Sequence, residues 1–405
     1  VKDFIVAVDI GTSKVCTVVG KVINGQIEIA GKGIEACIGL KKGTIVDIDD
    51  TANSIKNSVK QAEGEANMSI YSGFVNITGM NINIIRSKCE IDISNENREV
   101  TQEDIDKIMN QVSQIPISDD SQIINIFTKQ FTIDGCDEIL DPLGMVGTKL
   151  EVDVDFVVGK KVSVQNIAKS MGKAGLKTDG YIIEALASSQ VALLDDEKDM
   201  GVILIDVGGG ITDVSVIKGN NIIYYGSIPV GGDHITNDIS VGIKISYLEA
   251  EKIKREYALG LVSLITNDLE VQVNDISEGC RKSVRISTIV EIIEARIQEI
   301  LALCKQLVDQ AEIQNLDGVG LVLTGSGILS LEGVKQIAQN EFNSPVRIAD
   351  YKSNIIPKPE YSTAIGMLRH ILLNKKEVKI YSDVNQKKDG NGKFRFISKV
   401  RNFFN

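Results

Sequence analysis

The chain has 405 residues, 44 Lys+Arg against 55 Asp+Glu, and a formal net charge of −11. At ~100–200 residues per domain this predicts two to four domains. The acidic balance argues against nucleic acid as a partner, because phosphate backbones require a basic face. No apolar run approaches the ~18–20 residues of a membrane span, and residues 1–8 are too short for a signal-peptide core. The expectation is a protein made and kept in the cytoplasm. Six cysteines without a C-x-x-C pair and only two histidines, His234 and His370, speak against a disulfide framework or a zinc site.

Residues 4–8 and 15–19 are β-prone and flank a Gly-containing turn, which predicts a hairpin. A second copy of the same form, apolar strand, Asp-x-Gly-rich turn and strand, spans 202–217. Two copies about 200 residues apart predict a duplicated domain with a cleft between the halves. The intervening texture differs. Thr101, with Asp104 three residues on, predicts a capped helix carrying Ile105, Ile108, Met109 and Val112. Leu150, Val152, Val154, Phe156 and Val158 alternate with Glu151, Asp153 and Asp155, a strand with one wet face. Ser163 is expected to start a helix that ends at Gly175. Ser246 and Glu249 predict a capping box, and Ile286 to Ala311 carries one long apolar stripe. Leu321, Val322 and Leu323 predict a buried strand before a Gly-rich turn. Residues 381–392 are polar and predict a flexible linker of roughly 20 Å as a random coil.

The two turns are candidate phosphate loops. In Asp9-Ile10-Gly11-Thr12-Ser13-Lys14 and Asp206-Val207-Gly208-Gly209-Gly210-Ile211-Thr212-Asp213, glycine lets backbone N–H groups face a phosphate. Thr12, Ser13 and Thr212 offer hydroxyls. Asp9 and Asp206, at strand ends, could hold Mg²⁺ through its waters. Ordinary hairpin turns are the bland alternative; the paired occurrence favours phosphate. Gly325, Ser326 and Gly327 suit close approach to a base or ribose. Glu251 and Lys254 share a helix face and could reach one ligand. His234 reads as a helix-start residue. Glu184, before a small-residue helix, either positions a water for attack on a γ-phosphate or is an N-terminal Glu favoured by the helix dipole.

In this order the pieces resemble the actin-like ATPase superfamily and, within it, the bacterial cell-division FtsA family. The resemblance covers nearly the whole chain. The Pro229-Val230-Gly231-Gly232-Asp233-His234-Ile235-Thr236 run and the insertion near Asp141-Pro142 carry its specificity. It implies an α/β fold of duplicated ribonuclease-H-like domains around a nucleotide cleft, with an inserted α/β subdomain. The expected boundaries are 1–80 with 162–197 for the first core, 81–161 for the insertion, 198–242 with 313–374 for the second core, and 243–312 for a further subdomain. A linker at 375–392 and a tail at 393–405 follow. The resemblance further implies that the two loops, with Gly232, Asp233, Glu251, Lys254, Gly325, Ser326 and Gly327, bind ATP with Mg²⁺. Glu184-Ala185 replaces the family's Glu-Pro, which argues for slow hydrolysis, with ATP serving as a polymerisation ligand. Implied partners are the C-terminal peptide of the tubulin-like FtsZ, later division proteins, further copies of the chain in a filament, and an anionic membrane at the cytoplasmic face of the division site. Arg296, in the family's Glu-Pro-Arg position, is a candidate FtsZ contact. A pilus-assembly relative is the nearest alternative. A small-molecule kinase lacks an identifiable sugar pocket and catalytic Asp, and a chaperone lacks room for a peptide-binding domain.

The tail itself fits an in-plane membrane helix. Phe396, Ile397, Val400, Phe403 and Phe404 share one face, next to Phe394, and Arg395, Lys399 and Arg401 supply charge. Residues 375–405 carry nine basic and three acidic side chains, a net +6, which leaves −17 on the rest of the chain.

Overall fold

The computed structural model describes residues 4–78, 82–219, 221–311, 313, 319–351 and 358–374. The expected linker at 375–392 and the expected tail, with all nine of its named positions, lie outside the described residues.

The first half opens with an antiparallel meander, β1 (Phe4–Ile10), β2 (Lys14–Ile23) and β3 (Gln26–Ala36). A two-residue ladder, β4 (Leu40–Lys41) with β5 (Thr44–Ile45), leads into α1 (Ile48–Ala66), capped by Asp47, and β6 (Ser72–Ile77). The chain then leaves for the insertion: β7 (Ile82–Asp92), α2 (Gln102–Val112), β8 (Ser121–Ile133), β9 (Cys136–Ile139) and β10 (Lys149–Lys160). It returns through α3 (Lys161–Lys173), β11 (Lys177–Ile183) and α4 (Glu184–Ala192). The second half follows α5 (Asp195–Met200) with a second meander, β12 (Val202–Val207), β13 (Thr212–Lys218) and β14 (Asn221–Ile228), and then α6 (Gly232–Gly242). Next come α7 (Tyr247–Tyr257), the hairpin β15 (Glu270–Asn274) with β16 (Arg281–Arg285), and α8 (Ile286–Gln310). The last elements are β17 (Gly320–Thr324), α9 (Val334–Phe342), β18 (Val346–Ile348) and α10 (Ser362–Leu373).

The duplication is visible strand by strand. One sheet runs β11-β6-β1-β2-β3 and the other β18-β17-β12-β13-β14, each a three-stranded meander with two parallel strands added beside its first strand. Both first turns close alike: Gly11 N–H donates to the Lys14 carbonyl and Gly208 N–H to the Ile211 carbonyl, each at 2.9 Å. The halves meet at α4 and α10, whose buried residues join one apolar cluster with β1, β2, β12 and β17. The crossing demands small residues: a Cβ on Gly366 would lie 2.0 Å from the Ala187 carbonyl oxygen.

The insertion is a four-stranded antiparallel sheet, β7-β10-β8-β9, with α2 covering its core. Thr101 makes the expected capping box with Asp104. Three expectations are corrected. Helix α3 starts at Lys161, not Ser163, because β10 runs directly into it and the Lys161 N–H donates to the Asp120 carbonyl, so no side-chain cap is needed. The expected wet face holds at Glu151 and Asp153, which are partly exposed, but not at Asp155, which is buried and ion-paired with Lys129. Ser246 caps α7 by accepting from Glu249 N–H, but the Glu249 carboxylate accepts from Asn274 instead of closing the box. Among the described residues no helix is long and apolar enough to cross a membrane.

Candidate active site

Strands β1 and β12 end at the base of a cleft that encloses about 650 Å³, open solvent included. Asp9, Gly11, Thr12, Ser13 and Lys14 line it from the first half, and Asp206, Gly208, Gly209, Gly325 and Ser326 from the second. Side-chain contacts cross it. The Ser13 hydroxyl donates to the Asp233 carboxylate at 3.0 Å, and Lys14 Nζ donates to Ser326 Oγ at 3.3 Å.

The second loop is gripped by backbone. Gly232 N–H donates to the Gly208 carbonyl, Asp233 N–H to that of Gly209, and Gly327 N–H to that of Val207, at 2.8–2.9 Å. Glycine is obligatory where these runs touch. Gly325 has φ +94, and a Cβ there would lie 2.3 Å from the Val207 oxygen and 2.4 Å from Asp206 Oδ1. Below them, Lys254 is buried and donates to the Gly232 carbonyl at 3.1 Å and to Thr236 Oγ1 at 2.7 Å, while pairing with Glu251 at 2.7 Å.

Four carboxyl groups lie around the floor. Burial raises Asp9 to about 7, opposed by Lys14 and reinforced by Asp206. Burial raises Asp206 to about 6, opposed by the Ser188 hydroxyl that donates to it. Glu184, the first residue of α4, is pushed well up by burial and by the charges of Asp9, Asp206 and Asp213. Asp213 is raised by burial and accepts from Thr78, Tyr225 and Ser227. Lys14 is the one basic side chain among the described residues of this wall. A floor that is costly to ionise, facing backbone N–H groups and one lysine, suits a ligand that brings both phosphates and a cation.

The sequence relationships follow this geometry. The cell division protein FtsA family matches residues 203–366, and the SHS2 domain inserted in FTSA matches residues 79–158. The type IV pilus assembly protein PilM family matches residues 140–263. The cell division protein FtsA of Bacillus subtilis is 34% identical over 91% of this chain and 83% of its own. The chain belongs to the FtsA family. The FtsA of Pseudomonas aeruginosa is 34% identical over 90% of this chain and 88% of its own, and that of Escherichia coli K12 is 30% identical over 91% and 90%. Among solved structures, a PilM–PilN type IV pilus biogenesis complex covers 91% of this chain and 98% of its own at 15% identity and TM-score 0.62. MreB5 of Spiroplasma citri bound to ADP covers 93% and 98% at 16% identity and TM-score 0.57. At such identity these share the actin-like fold alone.

The expected site residues do not all meet the cleft. Gly210, Thr212, Gly232, Glu251, Lys254 and Gly327 do not line it, and Asp233 reaches it through its bond from Ser13. Thr212, expected to offer a hydroxyl to phosphate, donates it to the Val230 carbonyl at 2.8 Å. Gly210 packs against Thr12, where a Cβ would lie 2.5 Å from the threonine methyl. His234 accepts from Gly231 N–H, as a helix-start residue does. Arg296 lies on α8 away from the cleft, half-buried, bound to Asp238 at 2.5 Å and Glu299 at 2.6 Å. Sequence reading missed Asn76, Thr78, Ser188 and Thr363. The legible signal was Asn76, a lone amide inside the apolar run Phe74-Val75-Asn76-Ile77, where a buried polar group must have partners.

Proposed function

We propose that this chain is an ATP-binding, actin-like filament protein that tethers the FtsZ ring to the cytoplasmic face of the membrane at the division site and recruits later division proteins. Family membership supports the cell-division role. The nucleotide reading is carried by one observation: two equivalent Gly loops, each led by a strand-end aspartate, face each other across a cleft that Lys14 spans.

Gly11 and Gly208, whose N–H groups close their turns, would let the backbone approach the phosphates, Gly209 N–H with Thr12, Ser13 and Lys14 would hold them, and Gly325 and Ser326 would hold the nucleoside end. Gly210, Thr212, Gly232, Asp233, Glu251, Lys254 and Gly327 would act behind them, fixing the loop backbone. Mg²⁺ fits the floor. Asp9 is buried and Asp206 half-buried, and a divalent cation would favour the ionisation of both carboxyls. Among the described residues no three ligating side chains converge on one point, so the ion would keep waters and phosphate oxygens as its other ligands. Glu184 would orient water for slow hydrolysis. Cleft closure on ATP then favours the polymer.

The membrane contact would be residues 393–405. Each basic residue near an anionic leaflet contributes ~1 kcal/mol, and ordering the helix offsets much of the gain. A monomer therefore binds weakly, and a filament presenting many tails binds tightly through effective concentration. The FtsZ C-terminal peptide would dock on 243–312, where an incoming carboxylate competes with Asp238 and Glu299 for Arg296. The test is deletion of 393–405. It should abolish co-sedimentation with liposomes containing phosphatidylglycerol and leave ATP affinity unchanged; unchanged sedimentation would remove the anchor.

A further inference from the structure

Asn76 joins two carboxylates that belong to different elements. It closes β6 and is 2% exposed. Its Oδ1 accepts the Ile10 N–H at 2.7 Å, and that backbone donor fixes which way round the amide sits. Both N–H bonds of Nδ2 therefore point away, one to Asp9 Oδ1 at 2.7 Å and the other to Glu184 Oε2 at 2.8 Å. A primary amide has two such donors, and both are used. The second Glu184 oxygen accepts from Thr363 at 2.9 Å.

We propose that Asn76 is a positioning residue for nucleotide turnover, locking the Asp9 and Glu184 carboxylates into one rigid unit. This rests on the ATP reading above. Asp9 lies at the end of β1 and Glu184 directly follows β11, the two strands that flank β6 in one sheet, so the backbone brings the two carboxylates together without fixing either side chain. Without a link, each carboxylate could turn about its own torsions as the cleft closes. The terminal torsion of a glutamate is also broad, so a single hydrogen bond from Thr363 does not define the plane of the carboxylate. The Asn76 amide supplies the second bond and refers Glu184 to the same backbone, at Ile10, that carries Asp9. A water held by Glu184 thus keeps a constant relation to the phosphates. Displacements near 1 Å at such a position cost on the order of 100-fold in rate.

The experiment uses the full chain with Mg²⁺ and ATP, measuring phosphate release in a single turnover and affinity for a fluorescent ATP analogue. Asn76→Ala should slow release about 10- to 100-fold while changing affinity by less than about threefold, a fall in kcat without a matching rise in KM. Asn76→Ser, which keeps an oxygen for Ile10 and one donor, should recover part of the rate and stands in if alanine disturbs β6. Because Asn76 acts through Glu184, adding Asn76→Ala to Glu184→Gln should slow release by no more than about threefold beyond Glu184→Gln alone. An unchanged rate in Asn76→Ala, or fully additive losses in the double variant, would overturn the proposal. A wild type that binds ATP but releases no phosphate removes the Glu184 role and this one with it, and leaves nucleotide binding standing. A wild type that binds no ATP overturns the nucleotide reading itself.

Discussion

Replacing Asp9 with asparagine should stabilise the nucleotide-free protein while destroying its response to Mg²⁺ and ATP. Burial raises the Asp9 carboxyl from an ordinary 3.8 to about 7. The folded state thus holds the proton more tightly than the unfolded chain, so the stability this group contributes is complete below pH 3.8 and is lost as pH rises through about 7. At ~1.4 kcal/mol for each tenfold change in proton affinity, that loss reaches about 4 kcal/mol by pH 8. Asp206 and Glu184 share the charge and relax with it, so the expected gain for Asp9→Asn is about 2–4 kcal/mol at pH 8. At pH 4.5 wild-type Asp9 is protonated when folded, and the gain should shrink to about 1 kcal/mol. An asparagine oxygen can still accept from Asn76, so the clamp itself survives. Urea unfolding without Mg²⁺ or nucleotide, at the two pH values, measures both numbers. Addition of Mg²⁺ and ATP should then raise the wild-type midpoint and leave the variant unmoved. A variant less stable than wild type at pH 8, or a gain independent of pH, would refute the view that this carboxylate is held at a cost.

Lys254→Met should lower stability by about 2 kcal/mol, because Gly232 and Thr236 lose their donor and Glu251 keeps only Arg255 and Thr236 as partners. The same variant should weaken ATP binding several-fold through the α6 start that backs the second loop; an unchanged affinity with lowered stability would confine Lys254 to packing. Gly366→Val should cost about 3 kcal/mol or more in thermal or urea unfolding, since its Cβ would meet the Ala187 carbonyl oxygen at 2.0 Å. A normal midpoint would mean that α4 and α10 can separate freely.

The duplication was legible because each half writes its own local chemistry. An apolar strand, an Asp, a Gly turn and a second apolar strand specify a hairpin within about fifteen residues, and the structure repeats even the closing hydrogen bond, at Gly11 and Gly208. The Thr101 cap and the stripe of α8 are local in the same sense. What escaped depends on long-range convergence. Asn76 meets Glu184 across 108 positions, and Thr363 meets it across 179. The helix face shared by Glu251 and Lys254 was readable, but not that the lysine is buried and held by the Gly232 carbonyl, because spacing does not say what covers a face. The α3 start was misjudged for a related reason: its orphan N–H is satisfied by Asp120, forty-one residues earlier, and not by a neighbouring side chain.

The central claim is a nucleotide-dependent polymer that carries FtsZ to a membrane. Electron microscopy of the full chain on anionic lipid monolayers, with and without ATP and with and without FtsZ, tests it most directly. ATP should produce membrane-bound filaments, and FtsZ should be recruited only where this protein is present. A monolayer bare of filaments with ATP, and bare of FtsZ when both proteins are added, would contradict the account.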